Sequence, residues 1–166
     1  DYTDSSCPAL LLEPLRTNLV VQSEYFNTWW SKTGNLSFTD NYATSPEGFQ
    51  NASRWVSTGG AFPQMTRAIS GLTIGQTYTT TFYVKSDGTS QIEQSFWVST
   101  LNEVRFTPSS EWTRITHQFT ATSTSHTMVL FTNSGAAPAS TYLLYGFQFE
   151  AGSYATSYIP TYGSAV

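Results

Sequence analysis

From Thr17 to Glu150 no apolar repeat at helical spacing lasts three turns, and that absence constrains the fold more than any other feature. In its place, short runs alternate apolar and polar residues and are cut by Gly, Pro, Asn, Asp and Ser. The pattern predicts strands over Asn18–Gln22, Leu36–Asn41, Arg54–Ser57, Met65–Ser70, Thr77–Lys85, Ile92–Thr100, Val104–Thr107, Trp112–Thr120, Thr127–Thr132 and Thr141–Phe149. Between them lie "ATSPEGFQN", "STGGAFP", "SDGTS", "TPSSE" and "NSGAAPAS", segments with the residues that turns require. About ten strands without a helix predict an all-β fold, a jelly-roll β-sandwich of two antiparallel sheets packed face to face.

Composition agrees, because 16% of residues are aromatic and only 11% are charged, a balance that suits pleated strands. With 166 residues the chain has the length of one domain with a real core. We read 1–16 as a lead-in from a longer polypeptide and 17–166 as the β-sandwich. The net charge is −4 and the seven Lys and Arg are scattered, so no basic face is available for nucleic acid or an anionic membrane surface. No apolar run is long enough to span a bilayer as a helix. Cys7 is the only cysteine, which excludes an intrachain disulfide and a cysteine zinc cage.

Alternation also sorts side chains by face. In "TYTTTFYVK", Tyr78, Thr80, Phe82 and Val84 share one face, and Tyr83 and Lys85 take the other. In "QIEQSFWVS", Glu93 and Trp97 fall opposite Phe96 and Val98. In "WTRITHQFT", Arg114 falls opposite Ile115, His117 and Phe119. One sheet is therefore expected to present Tyr83, Glu93, Trp97 and Arg114 to solvent. Trp29 and Trp30, in "NTWWSKTG", are expected to divide between plugging the end of the sandwich and standing in a loop. Trp55 and Trp112 are expected in the core, His117 among apolar neighbours and His126 in a polar turn.

The run "ALLLEPLRTNLVVQSEYFNTWW", the middle "GLTIGQTYTTTFYVKS", the strand "EWTRITHQFTATS" and the closing "YGFQFEAGSYATSYIPTYGSAV" together resemble a jelly-roll domain of the carbohydrate-binding-module type. Such domains occur in bacteriophage tail, fibre and spike proteins. The central "GQTYTTTFYVK" is also similar to cellulose- and xylan-binding modules found beside glycoside hydrolases. The resemblance runs from about Leu10 to Val166. It implies a sandwich that binds polysaccharide or cell-surface glycan without cleaving it, outside the cell or on a virion, often with a structural calcium ion. Other domains of a parent protein, or copies in a trimeric fibre, are the implied protein partners. Hydrolase-linked modules carry an acidic pair "DDV" in the last strand, but the matching positions here are Tyr145 and Gly146. Glu24, Glu47 and Glu150 remain as hard-oxygen candidates for a metal.

Sugar binding needs flat aromatic faces with planar hydrogen-bonding groups at the rim. Trp97 is the leading candidate, joined by Tyr83, Arg114 and Glu93, with Trp29 as a loop alternative. No pair of acids is spaced for glycoside hydrolysis and no nucleophile motif appears, so an enzyme is not expected. The competing expectation is an assembly module whose outer aromatics meet a neighbouring fibre subunit; a polysaccharide-degrading enzyme ranks below both.

The segment "LLYGFQFEAGSYATSYIP" reads as the closing core strand. Alternation would put Leu143, Tyr145, Phe147 and Phe149 on one face, with Tyr154, Tyr158 and Ile159 folded back on the sandwich.

Overall fold

A computed structural model describes residues 13–88, 92–132 and 137–166; Cys7 and most of the expected lead-in lie outside them. The elements are a short helix α1 (Phe26–Trp29) and strands β1 (Ser31–Thr33), β2 (Leu36–Ala43), β3 (Ala52–Ser57), β4 (Gln64–Ser70) and β5 (Thr77–Ser86). They continue with β6 (Gln94–Val98), β7 (Leu101–Phe106), β8 (Thr113–Thr120), β9 (Ser125–Thr132) and β10 (Ser140–Ala151). The first sheet has the order β1-β4-β9-β6-β7 and the second β2-β3-β10-β5-β8. Every pairing is antiparallel, and the two sheets stack as a jelly-roll sandwich. Among the described residues no helix is long and apolar enough to cross a membrane.

The core forms because each strand turns its apolar set inward. Phe82 of β5 and Phe147 of β10 stack with centroids 4.5 Å apart and planes 6° from parallel, and Phe96 of β6 meets both from the opposite sheet. Each such pair contributes about 0.5–1.5 kcal/mol beyond its burial. Trp30 and Trp55 are buried here too, Trp55 stacked on Tyr142 at 5.0 Å. His117 lies in this core as its apolar neighbours predict, its Nε2 2.9 Å from the Leu101 carbonyl.

Three expectations are corrected. Asn18–Gln22 is not a strand. Asn18 instead uses its side chain as a strand would use its backbone, taking the Phe149 N–H at 3.0 Å and donating to the Phe147 carbonyl at 3.1 Å. His126 is buried at the start of β9, where its Nε2 accepts the Thr122 and Ser123 N–H groups and so ties the turn shut.

The third correction concerns β10. Its register slips between Tyr145 and Gln148, with Gly146 at φ +65°, a conformation that costs a side chain little only when there is none. The bulge splits the expected apolar face: Leu143 and Tyr145 point outward with Tyr83, whereas Phe147 and Phe149 point into the core. β10 is buried on both sides, which accounts for its apolar sequence.

Candidate functional site

The outer face of the second sheet is built around that bulge. Tyr83 of β5 pairs across the strands with Tyr145 on one side and Arg114 of β8 on the other. The Arg114 guanidinium carbon lies 5.6 Å from the centre of the Tyr83 ring, and the Tyr145 ring is 6.2 Å away. Lys85 follows Tyr83 on the same face, and both stay partly exposed.

Two segments cover the rest of this face. The loop between β2 and β3 reaches over it: Tyr145 donates to Glu47 at 2.6 Å and the Trp112 indole N–H donates to the Thr44 carbonyl at 3.3 Å. That bond holds Trp112 half-buried at the site's edge, where the sequence placed it in the core. The tail after β10 lies over the far end, held by Arg114 to the Thr156 carbonyl at 2.7 Å and Gln118 to the Ser153 carbonyl at 2.6 Å. Tyr158 packs over Gly146, as expected of the tail, whereas Tyr154 stands 52% exposed beneath Arg16. At the near end Tyr42, 46% exposed, stacks on Arg54, which pairs with Asp87 at 2.8 Å.

The three metal candidates do not form one group: Glu24 and Glu47 approach the Tyr145 hydroxyl, and Glu150 has partners of its own. Glu24, 3% exposed, faces hydrogen-bond donors: the hydroxyls of Tyr158 at 3.0 Å and Tyr162 at 3.1 Å, and the Asn51 amide at 3.1 Å. Burial first, with the nearby carboxylates adding to it and the Ser23 hydrogen bond opposing it at Tyr158, pushes the Tyr145 and Tyr158 hydroxyls well above their ordinary range, so both remain protonated as donors. Glu150 is filled by the Thr156 N–H, the Thr156 hydroxyl and the Gln148 amide at 2.8–2.9 Å. Carboxylates saturated by donors do not suit Ca²⁺, which takes about six to eight oxygen ligands. Among the described residues no group of three or more His, Cys, Asp or Glu is placed to hold a metal ion.

Trp97 and Glu93 belong elsewhere. β6 is in the first sheet, so Trp97 points out from the opposite side of the sandwich to Tyr83 and Arg114. There Trp97 packs on Phe131 at 4.4 Å beside Val129, and Arg105 pairs with Glu93 at 3.7 Å and Glu103 at 3.2 Å. Trp29 is half-buried at the end of the sandwich with the Arg67 guanidinium 4.1 Å above its ring. The structure thus brings together Tyr83 and Arg114 and separates them from Trp97, Glu93 and Trp29. Sequence reasoning missed Tyr42, Trp112 and Tyr145 as members of the face. The "PEG" turn and the glycine inside an apolar strand were the available signals for a loop and a bulge there.

No family model matches the chain, and no curated protein matches it in sequence. Solved structures do. The CBM22-1 xylan-binding domain from Paenibacillus barcinonensis Xyn10C superposes with a TM-score of 0.60 at 14% identity, over 85% of this chain and 95% of that one. TmCBM61, solved in complex with β-1,4-galactotriose, gives 0.59 at 13% identity over 81% and 99%. The enzymatically active domain of bacteriophage CBA120 tailspike protein 4 gives 0.60 at 12% identity, over 81% of this chain but 21% of that one. At these identities the likeness is one of fold, and the fold is that of carbohydrate-binding modules.

Proposed function

We propose that the chain is a non-catalytic glycan-binding module that holds polysaccharide along the outer face of the second sheet, outside the cell or on a virion, and tethers a larger protein there. The observation that carries this reading is Tyr83: a partly exposed ring on a sheet face, flanked by Arg114 and Lys85 and left open between the Thr44–Asn51 loop and the tail. A pyranose offers an apolar C–H face to such a ring and hydroxyls to the groups at its rim. Xylan, and galactotriose, are named with two of the structures that share the fold, which supports a polysaccharide ligand. The tailspike likeness supports the virion setting. Glu24 and Glu47 both approach the Tyr145 hydroxyl, but Glu24 is buried and saturated, so the two do not present an acid and a base to a substrate.

A glycan array with the wild type and Tyr83→Ala tests the reading. Hits that disappear in the variant are expected, without release of reducing ends; hits that persist, or an array with none, would overturn it. A second reading rests on Trp97, partly exposed on the first sheet above the buried Phe131 and Val129, where its ring offers a neighbouring subunit an apolar contact. It predicts an obligate oligomer on size exclusion that Trp97→Ala dissociates.

A further inference from the structure

The geometry points to an acidic saccharide, one with a carboxylate on the sugar ring, as the ligand of the Tyr83 face; the inference rests on the glycan-binding reading and deepens it. Eleven acidic residues outnumber seven basic ones in the chain, so a cation left without any partner stands out. Arg16, Arg54 and Arg105 each pair with a carboxylate. Among the described residues Lys32 and Arg67 do not, but both belong to the first sheet, Lys32 capped by Asn27 at 2.6 Å and Arg67 by the Trp29 carbonyl and ring. The two that remain, Lys85 and Arg114, stand on the same face.

Among the described residues the Lys85 ammonium makes no hydrogen bond and no ion pair. Arg114 uses Nη2 on two neutral acceptors, the Thr81 hydroxyl at 2.9 Å and the Thr156 carbonyl, and its Nε has no partner. Neither charge meets a carboxylate among the described residues, and the Lys85 ammonium meets no partner at all.

Their positions matter as much as their number. Lys85 is two residues beyond Tyr83 on one strand, about 7 Å along the face. Arg114 is opposite Tyr83 on the next strand, about 5 Å away. A sugar ring stacked on Tyr83 therefore has a cation on two sides, and a carboxylate on that ring falls within reach of one or the other. The nearby acids do not fill this role: Asp87 is engaged by Arg54 and Glu47 by Tyr145. Partly buried cations gain more from an anion than fully solvated ones, because less water screens the pair.

The experiment measures binding to uronate polymers (polygalacturonate, alginate, hyaluronate and glucuronoxylan), each beside its carboxyl-reduced form, with neutral xylan and β-1,4-galactan in the same set. We expect at least one acidic polymer to bind and its reduced form to bind about ten-fold or more weakly. Lys85→Met should reproduce that loss while Lys85→Arg restores it. Raising salt from about 0.05 M to about 0.5 M should weaken the acidic polymer and leave neutral polymers unaffected. Equal binding to acidic and reduced forms, or Tyr83-dependent binding to neutral polymers alone, would overturn the acidic ligand and leave the glycan reading standing. No binding to any polymer would overturn both.

Discussion

The two outer faces of the sandwich carry similar residue types and treat them differently. On the first sheet Arg105 is held between Glu93 and Glu103, and Trp97 rests on Phe131, so each charge and each ring already has its partner. On the second sheet Tyr83 lies between Arg114 and Lys85, neither of which meets a carboxylate among the described residues. On this reading an exposed aromatic alone is a weaker guide to a ligand than an aromatic beside a cation that meets no acid. Satisfied groups maintain a surface; unsatisfied ones invite a ligand.

The comparison breaks first at Tyr83. Tyr83→Ala should lower glycan affinity about ten- to hundred-fold, in the range of an interface hot spot, while Trp97→Ala changes it less than about two-fold. Calorimetric titration of both variants checks this, and the opposite ranking would assign the site to the first sheet.

Next comes the bulge that aims Tyr145 at the second face. Gly146→Ala puts a Cβ at φ +65° and 3.3 Å from the Tyr158 ring, so stability should fall by about 1–3 kcal/mol. Thermal unfolding measures it. An unchanged melting temperature would mean that the bulge is not needed to hold the tail.

A smaller effect separates the sheets by pH. His117, on β8 beneath the second face, has its pKa lowered, first by desolvation, against weaker support for the charged form from the Leu101 and Asn102 carbonyls. The unfolded chain therefore takes up the proton at a higher pH than the folded one. The stabilising contribution is complete above the ordinary value of about 6.5 and declines as pH falls below it. Urea midpoints at two pH values should show a decline that His117→Gln reduces; equal declines would remove His117 as the cause. Smallest of all, Arg105→Ala should cost under about 1 kcal/mol, because its pairs on the first face are exposed. A larger loss in a denaturant titration would mean that this ion-pair network supports the sheet.

Much of the fold was legible. Alternation along Thr77–Ser86 and Thr113–Thr120 placed Tyr83 and Arg114 outward and Phe82, Ile115 and Phe119 inward, because strand period is a local property. Sheet membership is not local. β5 and β6 are consecutive in the chain, yet β5 pairs with β8 and β10 while β6 pairs with β7 and β9, so the expected grouping of Trp97 and Glu93 with Tyr83 failed. Alternation in "LLYGFQF" also failed at one residue, since a bulge resets the phase of everything after it. Trp112 looked like a core residue because its partner is the carbonyl of Thr44, distant in sequence.

The two faces each carry an indole, and one spectrum can compare them. In a nitrogen-proton correlation titration with the best glycan from the array, the Trp112 indole N–H signal should move with binding and the Trp97 signal should stay in place. Movement of Trp97 with a stationary Trp112 would contradict a site on the second face.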